Sequence, residues 1–138
     1  MVGLRFTGVN LPVGAVITND YVNFTADETT SEAVTVQIQG EASPNASAFI
    51  DEDGNVSSRI RTQNYVNWSP APWTTIGATQ ATPNLAPVIQ EIINQPGWSV
   101  GNSVVIIISG TTGHRVAKAF EDDPSGAALL HIEYSVSN

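Results

Sequence analysis

The chain has 138 residues, a net charge of −8, 41% hydrophobic residues and no cysteine. This hydrophobic content predicts a folded domain with a core, while the lack of cysteine excludes disulfides, thiolate metal sites and cysteine nucleophiles. With 13 acidic residues against 5 lysines and arginines, neither nucleic acid nor a membrane is expected as a partner, because phosphate backbones and anionic lipids both require a basic surface.

The first part of the chain alternates apolar and polar residues as β-strands do. Residues 2–8 start with this pattern. In residues 15–25 the apolar positions change parity, which indicates either a strand covered on both faces or a β-bulge. Residues 33–40 have the clearest period of two, with apolar side chains from Val34 to Ile38 on one side. These three segments predict strands that bury one face.

The middle of the chain contains two short predicted strands, at residues 62–68 and 73–76, and one predicted helix at about residues 83–95. Thr82 is a suitable N-cap, and Pro83 suits the first helical position because its missing N–H costs nothing there. The apolar residues that follow recur at helical spacing and comprise Leu85, Val88, Ile89, Ile92 and Ile93.

Three more strands are predicted after the helix. Residues 103–110 are apolar at both parities, which is typical of a central strand covered on both sides. Residues 115–120 and 130–136 complete the set. The fold class predicted for residues 1–138 is therefore all-β, as one domain: a two-sheet antiparallel β-sandwich of jelly-roll type with one inserted α-helix.

Several motifs are shared with a known kind of module. Residues 3–17 follow the pattern R-F-x-x-hydrophobic-x-hydrophobic-P-x-G-A-x-I. Further similar segments are residues 57–62, 66–68, 73, 96–98, 101–102 and 129–134. Together they resemble jelly-roll carbohydrate-binding modules of bacterial secreted proteins, of the DNRLRE-like kind. The resemblance implies a non-catalytic module that binds a polysaccharide or other glycan, in an extracellular protein.

Two departures from that pattern matter. Such modules usually have one or two strands before the segment that begins here at Val2, so a trimmed domain or an open sheet edge completed by another chain is expected. An open edge favours a homo-oligomer and an alternative function, that of a structural or adhesive module that assembles extracellular proteins. Some such modules bind anionic alginate, for which an acidic chain is poorly suited.

The candidate glycan-binding residues begin with three aromatic side chains, Tyr65, Trp68 and Trp73, in a proline-rich stretch. An exposed indole can stack on the apolar face of a sugar ring while nearby polar groups bond its hydroxyls. The alternative is that these rings fill one end of the sandwich, since large aromatic side chains are mostly buried. Trp98, which follows the end of the helix, is interpreted as a core residue.

Arg59 and Arg61 share one strand parity just before the aromatic stretch. They are candidates for binding a ligand carboxylate, because a guanidinium can form two parallel hydrogen bonds with it. The alternative is that each arginine pairs with one of the chain's many acidic side chains. Both interpretations stay open at the level of the sequence.

Calcium is the one candidate cofactor that the sequence suggests. Asp51, Asp53 and Asn55 alternate around a glycine, as the ligands of short calcium loops do. Calcium needs six to eight oxygen ligands, so other loops would have to contribute. The alternative is a solvated acidic turn without a metal. If calcium binds here, its expected role is structural.

No catalytic motif is present in the sequence. It lacks a Gly-x-Ser-x-Gly elbow, a His-Glu-x-x-His helix and a phosphate-binding Walker loop. Asp20 and Glu133 could form a glycosidase pair, although any two of the 13 acidic residues could be chosen in the same way. The sequence therefore predicts that the protein is not an enzyme.

Overall fold

The computed structural model describes residues 2–26, 34–47, 59–70, 72–112 and 129–136. Their elements in chain order are β1 (Val2–Phe6), β2 (Val16–Thr25), β3 (Thr35–Gly40), β4 (Val66–Trp68), β5 (Thr79–Ala81), α1 (Ala86–Ile93), β6 (Val104–Thr112) and β7 (Leu129–Ser135). The strands form a four-stranded sheet in the order β1-β6-β3-β4 and a three-stranded sheet in the order β5-β2-β7, with antiparallel pairs throughout. The two sheets share one apolar core, which confirms the predicted two-sheet β-sandwich with one helix.

Strand β6 lies inside the four-stranded sheet and is covered on both faces. Val104 and Ile106 belong to the main core between the sheets, whereas Val105 and Ile107 form a second cluster with Ala46 of the loop after β3. The side chains of these four β6 residues are all fully buried. The prediction that this segment is a central strand covered on both sides is confirmed.

Strand β2 contains the bulge that was one of the two interpretations of its sequence. Its register with β7 shifts between Ile17 and Asn19. Because of this shift Ile17 is buried and Val16 is exposed, so the core-facing parity changes within the strand. Gln90 of α1 holds this end of the strand, since its side chain accepts from the Ile17 N–H and donates to the Ala15 carbonyl, both at 2.9 Å.

The helix is shorter at both ends than the predicted 83–95 and covers Ala86–Ile93. Thr82 does not cap it, because its hydroxyl accepts a hydrogen bond from the backbone N–H of Val22 at 3.1 Å. The proline of the first turn is Pro87. The predicted apolar face is confirmed, and its buried members are Val88, Ile89, Ile92 and Ile93.

Helix α1 lies very close to the end of β3. A Cβ atom added to Gly40 would stand 2.5 Å from Cδ1 of Ile92 and 3.1 Å from Cγ1 of Val88. Both of these side chains are fully buried and have little space to move. Glycine at this position therefore allows the helix to pack against the four-stranded sheet.

The short strands near the middle of the chain differ from the prediction. Of residues 62–68, only the last three form a strand, and residues 73–76 form none. Instead the chain turns at Gly77, whose φ of 88° suits glycine, and β5 follows. The predicted strand at residues 115–120 lies outside the described residues.

Candidate functional site

The two tryptophans of the predicted site face the sandwich interior. Trp73 has only 3% of its surface exposed, and Trp68 is half-buried against the main core. The ring centre of Phe24 lies 6.2 Å from that of Trp68 and 6.5 Å from that of Trp73. A ring as buried as Trp73 cannot stack on an external sugar, so this part of the prediction is corrected in favour of the alternative, a core aromatic.

Strand register explains this inward position. Trp68 pairs with Val36, and Val66 pairs with Ile38, so both β4 side chains share the core-facing parity of β3. Tyr65, directly before β4, is 53% exposed. Of the three predicted aromatic residues, Tyr65 is the one with a ring largely available to a ligand.

The two predicted arginines belong to a different face of the four-stranded sheet. Arg59 forms an ion pair with Glu41 at 2.7 Å, and its side chain is 8% exposed. Arg61 donates to Oγ of Ser109 at 3.2 Å, and Ser109 alternates along β6 with the core-facing Ile108. The acid-pairing alternative is thus confirmed for Arg59. The structure does not bring the arginines and tryptophans into one site, because they lie on opposite faces of the sheet.

The predicted calcium ligands Asp51, Asp53 and Asn55 lie outside the described residues. Within the described ranges, no group of three or more histidine or acidic side chains is arranged to hold a metal ion. The calcium site therefore stays a prediction from the sequence.

A polar face that the sequence did not single out lies on the outside of the three-stranded sheet. Asn19 and Tyr21 of β2 pair in register with Glu133 and His131 of β7, respectively. We call these four residues the β2–β7 polar face. The rings of Tyr21 and His131 stack with their centres 4.7 Å apart and their planes at 27°. Next to them, Nδ2 of Asn19 donates to Oε2 of Glu133 at 2.9 Å.

Hydrogen bonds keep the Glu133 carboxyl of this face ionised. Glu133 accepts from Asn19 and lies 3.3 Å from Nε2 of His131, and these contacts hold the pKa of its carboxyl below the usual value. Glu133 is therefore a carboxylate at neutral pH, and the side chains of His131 and Glu133 are 46% and 56% exposed. Neither lysine nor arginine occurs in β2, β5 or β7. The face thus presents an aromatic pair, an amide and a carboxylate without a lysine or arginine from these strands.

The sequence contained part of the signal for this face. His131 and Glu133 alternate with apolar residues on β7, and Tyr21 has the parity opposite to Val22 on β2. What could not be read from the sequence is the register that places Tyr21 beside His131, since the two residues are far apart in the chain.

Asp20 and Glu133 do not form a catalytic pair. Asp20 pairs in register with Ile132 and is fully buried on the inner face of β2, while Glu133 is exposed on the outer face. The sheet itself separates the two carboxyl groups. The arrangement needed by a glycosidase, with both carboxyls flanking one bond, is absent for this pair.

A groove lies between the segment that follows β1 and strand β7. It has a volume of about 430 Å³ and is lined by the segment from Phe6 to Leu11 and by β7 residues that include Leu130, Ile132 and Tyr134. None of these lining residues is charged. Of β1 only its last residue, Phe6, lines the groove, and β1 and β7 are end strands of the two sheets as described.

The described fold and surfaces define an antiparallel β-sandwich with one helix and a polar outer face that carries an aromatic pair. Scans against models of protein families, against curated proteins and against solved structures found no match to this chain. The one helix in the described ranges, α1, is too short to cross a membrane.

Proposed function

We propose that this protein is a non-catalytic carbohydrate-binding module of a secreted protein, and that the β2–β7 polar face contacts the glycan. The observation that carries the proposal is the stacked Tyr21–His131 pair on the outer face of the three-stranded sheet. The amide of Asn19 and the carboxylate of Glu133 lie beside it. Rings of this kind can pack on the apolar face of a sugar, and amide and carboxylate groups beside them can bond its hydroxyls. This is the chemistry expected for the module that the sequence resembles.

The charges of the face favour a neutral glycan. Glu133 remains ionised at neutral pH, and a carboxylate accepts hydrogen bonds from sugar hydroxyls while it repels uronate groups. The protein as a whole has a net charge of −8. Alginate and other polyuronates are therefore expected to bind poorly, although some modules of the resembled kind bind them.

The proposal is tested by affinity gel electrophoresis against neutral soluble polysaccharides (β-glucan, xylan, galactomannan) and against alginate. We expect at least one neutral polymer to retard the wild type and alginate to leave its mobility unchanged. Tyr21→Ala and His131→Ala should each weaken binding by about tenfold or more, equivalent to about 1.4 kcal/mol, because each removes half of the aromatic pair.

Tyr65→Ala is the matched control, because Tyr65 is an exposed aromatic residue outside the polar face. It should bind as the wild type does, and circular dichroism should show all three variants folded. Loss of binding in Tyr65→Ala with normal binding in the other two would move the site to the loop before β4. No retardation by any neutral polymer would contradict the proposed function.

A second candidate function is assembly through a sheet edge, and one observation favours it. β1 pairs with β6 on one side, and in the described ranges no strand pairs with its other side. An unpaired strand edge is a template for a strand of another chain, and the uncharged groove beside β1 would accept its side chains. A structural or adhesive module would use this edge to bind a second copy.

A further inference from the structure

Asp20 is the most unusual side chain in the core. It lies on the inner face of β2 with none of its surface exposed, and both of its carboxyl oxygens lack a hydrogen-bond partner within the described part of the chain. A buried carboxylate without a partner is strongly disfavoured, whereas the neutral carboxylic acid is tolerated far better. The protonation state of Asp20 is therefore coupled to the packing around it.

The backbone around Asp20 is held firmly, in contrast with its side chain. Its N–H donates to Oδ1 of Asn84 at 2.9 Å, and its carbonyl accepts from the N–H of Leu85 at the start of α1. Across the sheet Asp20 pairs with Ile132 of β7. The side chain thus has no freedom to turn outwards without breaking the contacts of β2 with α1 and β7.

No described cation faces this carboxyl from the elements packed around it. On β7 the titratable group of inner parity is Tyr134, while His131 and Glu133 lie on the outer face. On α1, Glu91 accepts hydrogen bonds from the backbone N–H groups of residues 63 and 64. On β1, Arg5 bonds the Ala46 carbonyl and Ser103. The described parts of β3, β5 and β6 contain no charged residue.

The inner pair of Asp20 and Ile132 lies directly behind the β2–β7 polar face. Asp20 stands between Asn19 and Tyr21 in the chain, and Ile132 stands between His131 and Glu133. Because neighbouring residues of a strand point to opposite sides, any movement of the inner pair also moves the four outer side chains. The position of Asp20 links the core to the proposed site.

We infer that Asp20 is a pH-sensitive element of the sandwich: when its carboxyl loses its proton, the β2–β7 pairing is weakened and the polar face behind it loses its ligand-binding geometry. The part of this inference that concerns ligand binding rests on the proposed function. The part that concerns the pairing of β2 with β7 does not.

The direction of the effect follows from the burial of the group. Burial raises the pKa of Asp20 to about 7 from its ordinary value of 3.8. Below pH 3.8 both folded and unfolded chains hold the proton, so Asp20 has no pH-dependent effect there. Between 3.8 and about 7 the unfolded chain releases the proton first, so the stability contributed by this group falls as pH rises and then stays level.

The first experiment compares the thermal midpoints of the wild type and Asp20→Asn between about pH 4 and about pH 9. Asparagine has the same shape and cannot ionise. We expect the midpoint of the variant, relative to the wild type, to rise with pH up to about 7 and to remain constant above it. Glu133→Gln is the control, because an exposed carboxylate with a lowered pKa should give no such rise in this range. A difference between Asp20→Asn and the wild type that is the same at every pH would overturn the inference.

A second measurement covers the case in which Asp20→Asn does not fold. Carbon-detected NMR of the wild type, labelled at the aspartate carboxyl groups, should show one carboxyl that titrates near pH 7. If every aspartate carboxyl titrates near the ordinary value, the inference is wrong.

The ligand-binding part is tested by the same affinity gels, run at about pH 5.5 and about pH 8.5. We expect wild-type affinity for the neutral polymer to fall about threefold or more between the two, and the affinity of Asp20→Asn to fall less. Both proteins retain His131, so the comparison isolates the change at Asp20. Equal falls would contradict the link between Asp20 and the polar face. The thermal midpoints could show the expected pH dependence while neither protein binds any polymer. That result would contradict the proposed function and leave the role of Asp20 in the β2–β7 pairing intact.

Discussion

Trp98 illustrates how this chain places its indole rings. The ring is 4% exposed, and its Nε1–H donates to the carbonyl of Leu11 at 2.8 Å. A buried indole N–H requires such a partner, and here it also ties the turn after β1 to the segment after α1. Its interpretation as a core residue is confirmed. Trp68 and Trp73 also face inward, whereas the stacked pair of Tyr21 and His131 lies on the outer face of the three-stranded sheet.

Trp98→Phe should lower the free energy of unfolding by about 1–3 kcal/mol. The variant keeps an aromatic ring in the core, but it leaves the Leu11 carbonyl without its buried donor. Urea denaturation at neutral pH measures the loss. Tyr65→Phe, at an exposed site, should change stability by less than about 0.5 kcal/mol. Equal stabilities of Trp98→Phe and the wild type would mean that water replaces the lost hydrogen bond at no cost.

At the scale of elements, α1 is in contact with both sheets. The side chain of Gln90 is hydrogen-bonded to the bulged start of β2, and Ile92 and Val88 pack closely on Gly40 at the end of β3. The sequence predicted the helix and its apolar face, because the spacing of these residues is local information. It did not predict the later helix start, because the Thr82 hydroxyl is bound by the backbone of β2, a partner from a remote part of the chain.

Gly40→Ala should destabilise the protein by about 1–3 kcal/mol, because the added methyl group would overlap two fully buried side chains of α1. Gly110→Ala is the matched control in the same sheet. Its Cβ would meet Val36 at 3.4 Å, an ordinary contact, and its φ is not in the left-handed region. Thermal denaturation of the two variants side by side measures the difference. A larger loss in Gly110→Ala would contradict the close packing of α1 on β3.

At the scale of the whole molecule, period-two hydrophobicity predicted the sandwich and its longer strands. It also contained the correct orientation of Trp68, since Trp68 shares its parity with Val66 and faces the core with it. β5 was missed because its Thr-Gln-Ala sequence has no apolar alternation. The jelly-roll order of strands stays a prediction, because residues 113–128, between β6 and β7, are outside the described ranges.

The candidate site was harder to predict than the fold. Strands β2 and β7 meet across a separation of more than 100 residues, as in the Asn19–Glu133 hydrogen bond, and no local pattern specifies which residues of the two strands become neighbours. Arg59 could not be assigned from its own segment either, because its partner Glu41 follows a different strand. In both cases the missing information is the pairing of distant segments.

The edge of β1 leads to a prediction for the whole molecule. If assembly through this edge operates, sedimentation velocity should show a dimer that increases with protein concentration. Gly3→Lys should reduce the dimer, because a charge on an edge strand opposes pairing with another chain, and Gly3 has the parity opposite to the core-packed Leu4. A clean monomer at every concentration measured would exclude this second candidate function. Tyr65→Lys, which adds the same charge away from β1, is the control for a general effect of charge.

Because α1 is anchored to β2, the central strand of the described three-stranded sheet, and to the last residue of β3 in the other sheet, we expect the two layers to come apart together. Separation of the layers would expose the helix, and loss of the helix would uncover both layers. We therefore expect the domain to unfold as one cooperative unit, so that deprotonation of a single buried carboxyl would lower the stability of the whole domain.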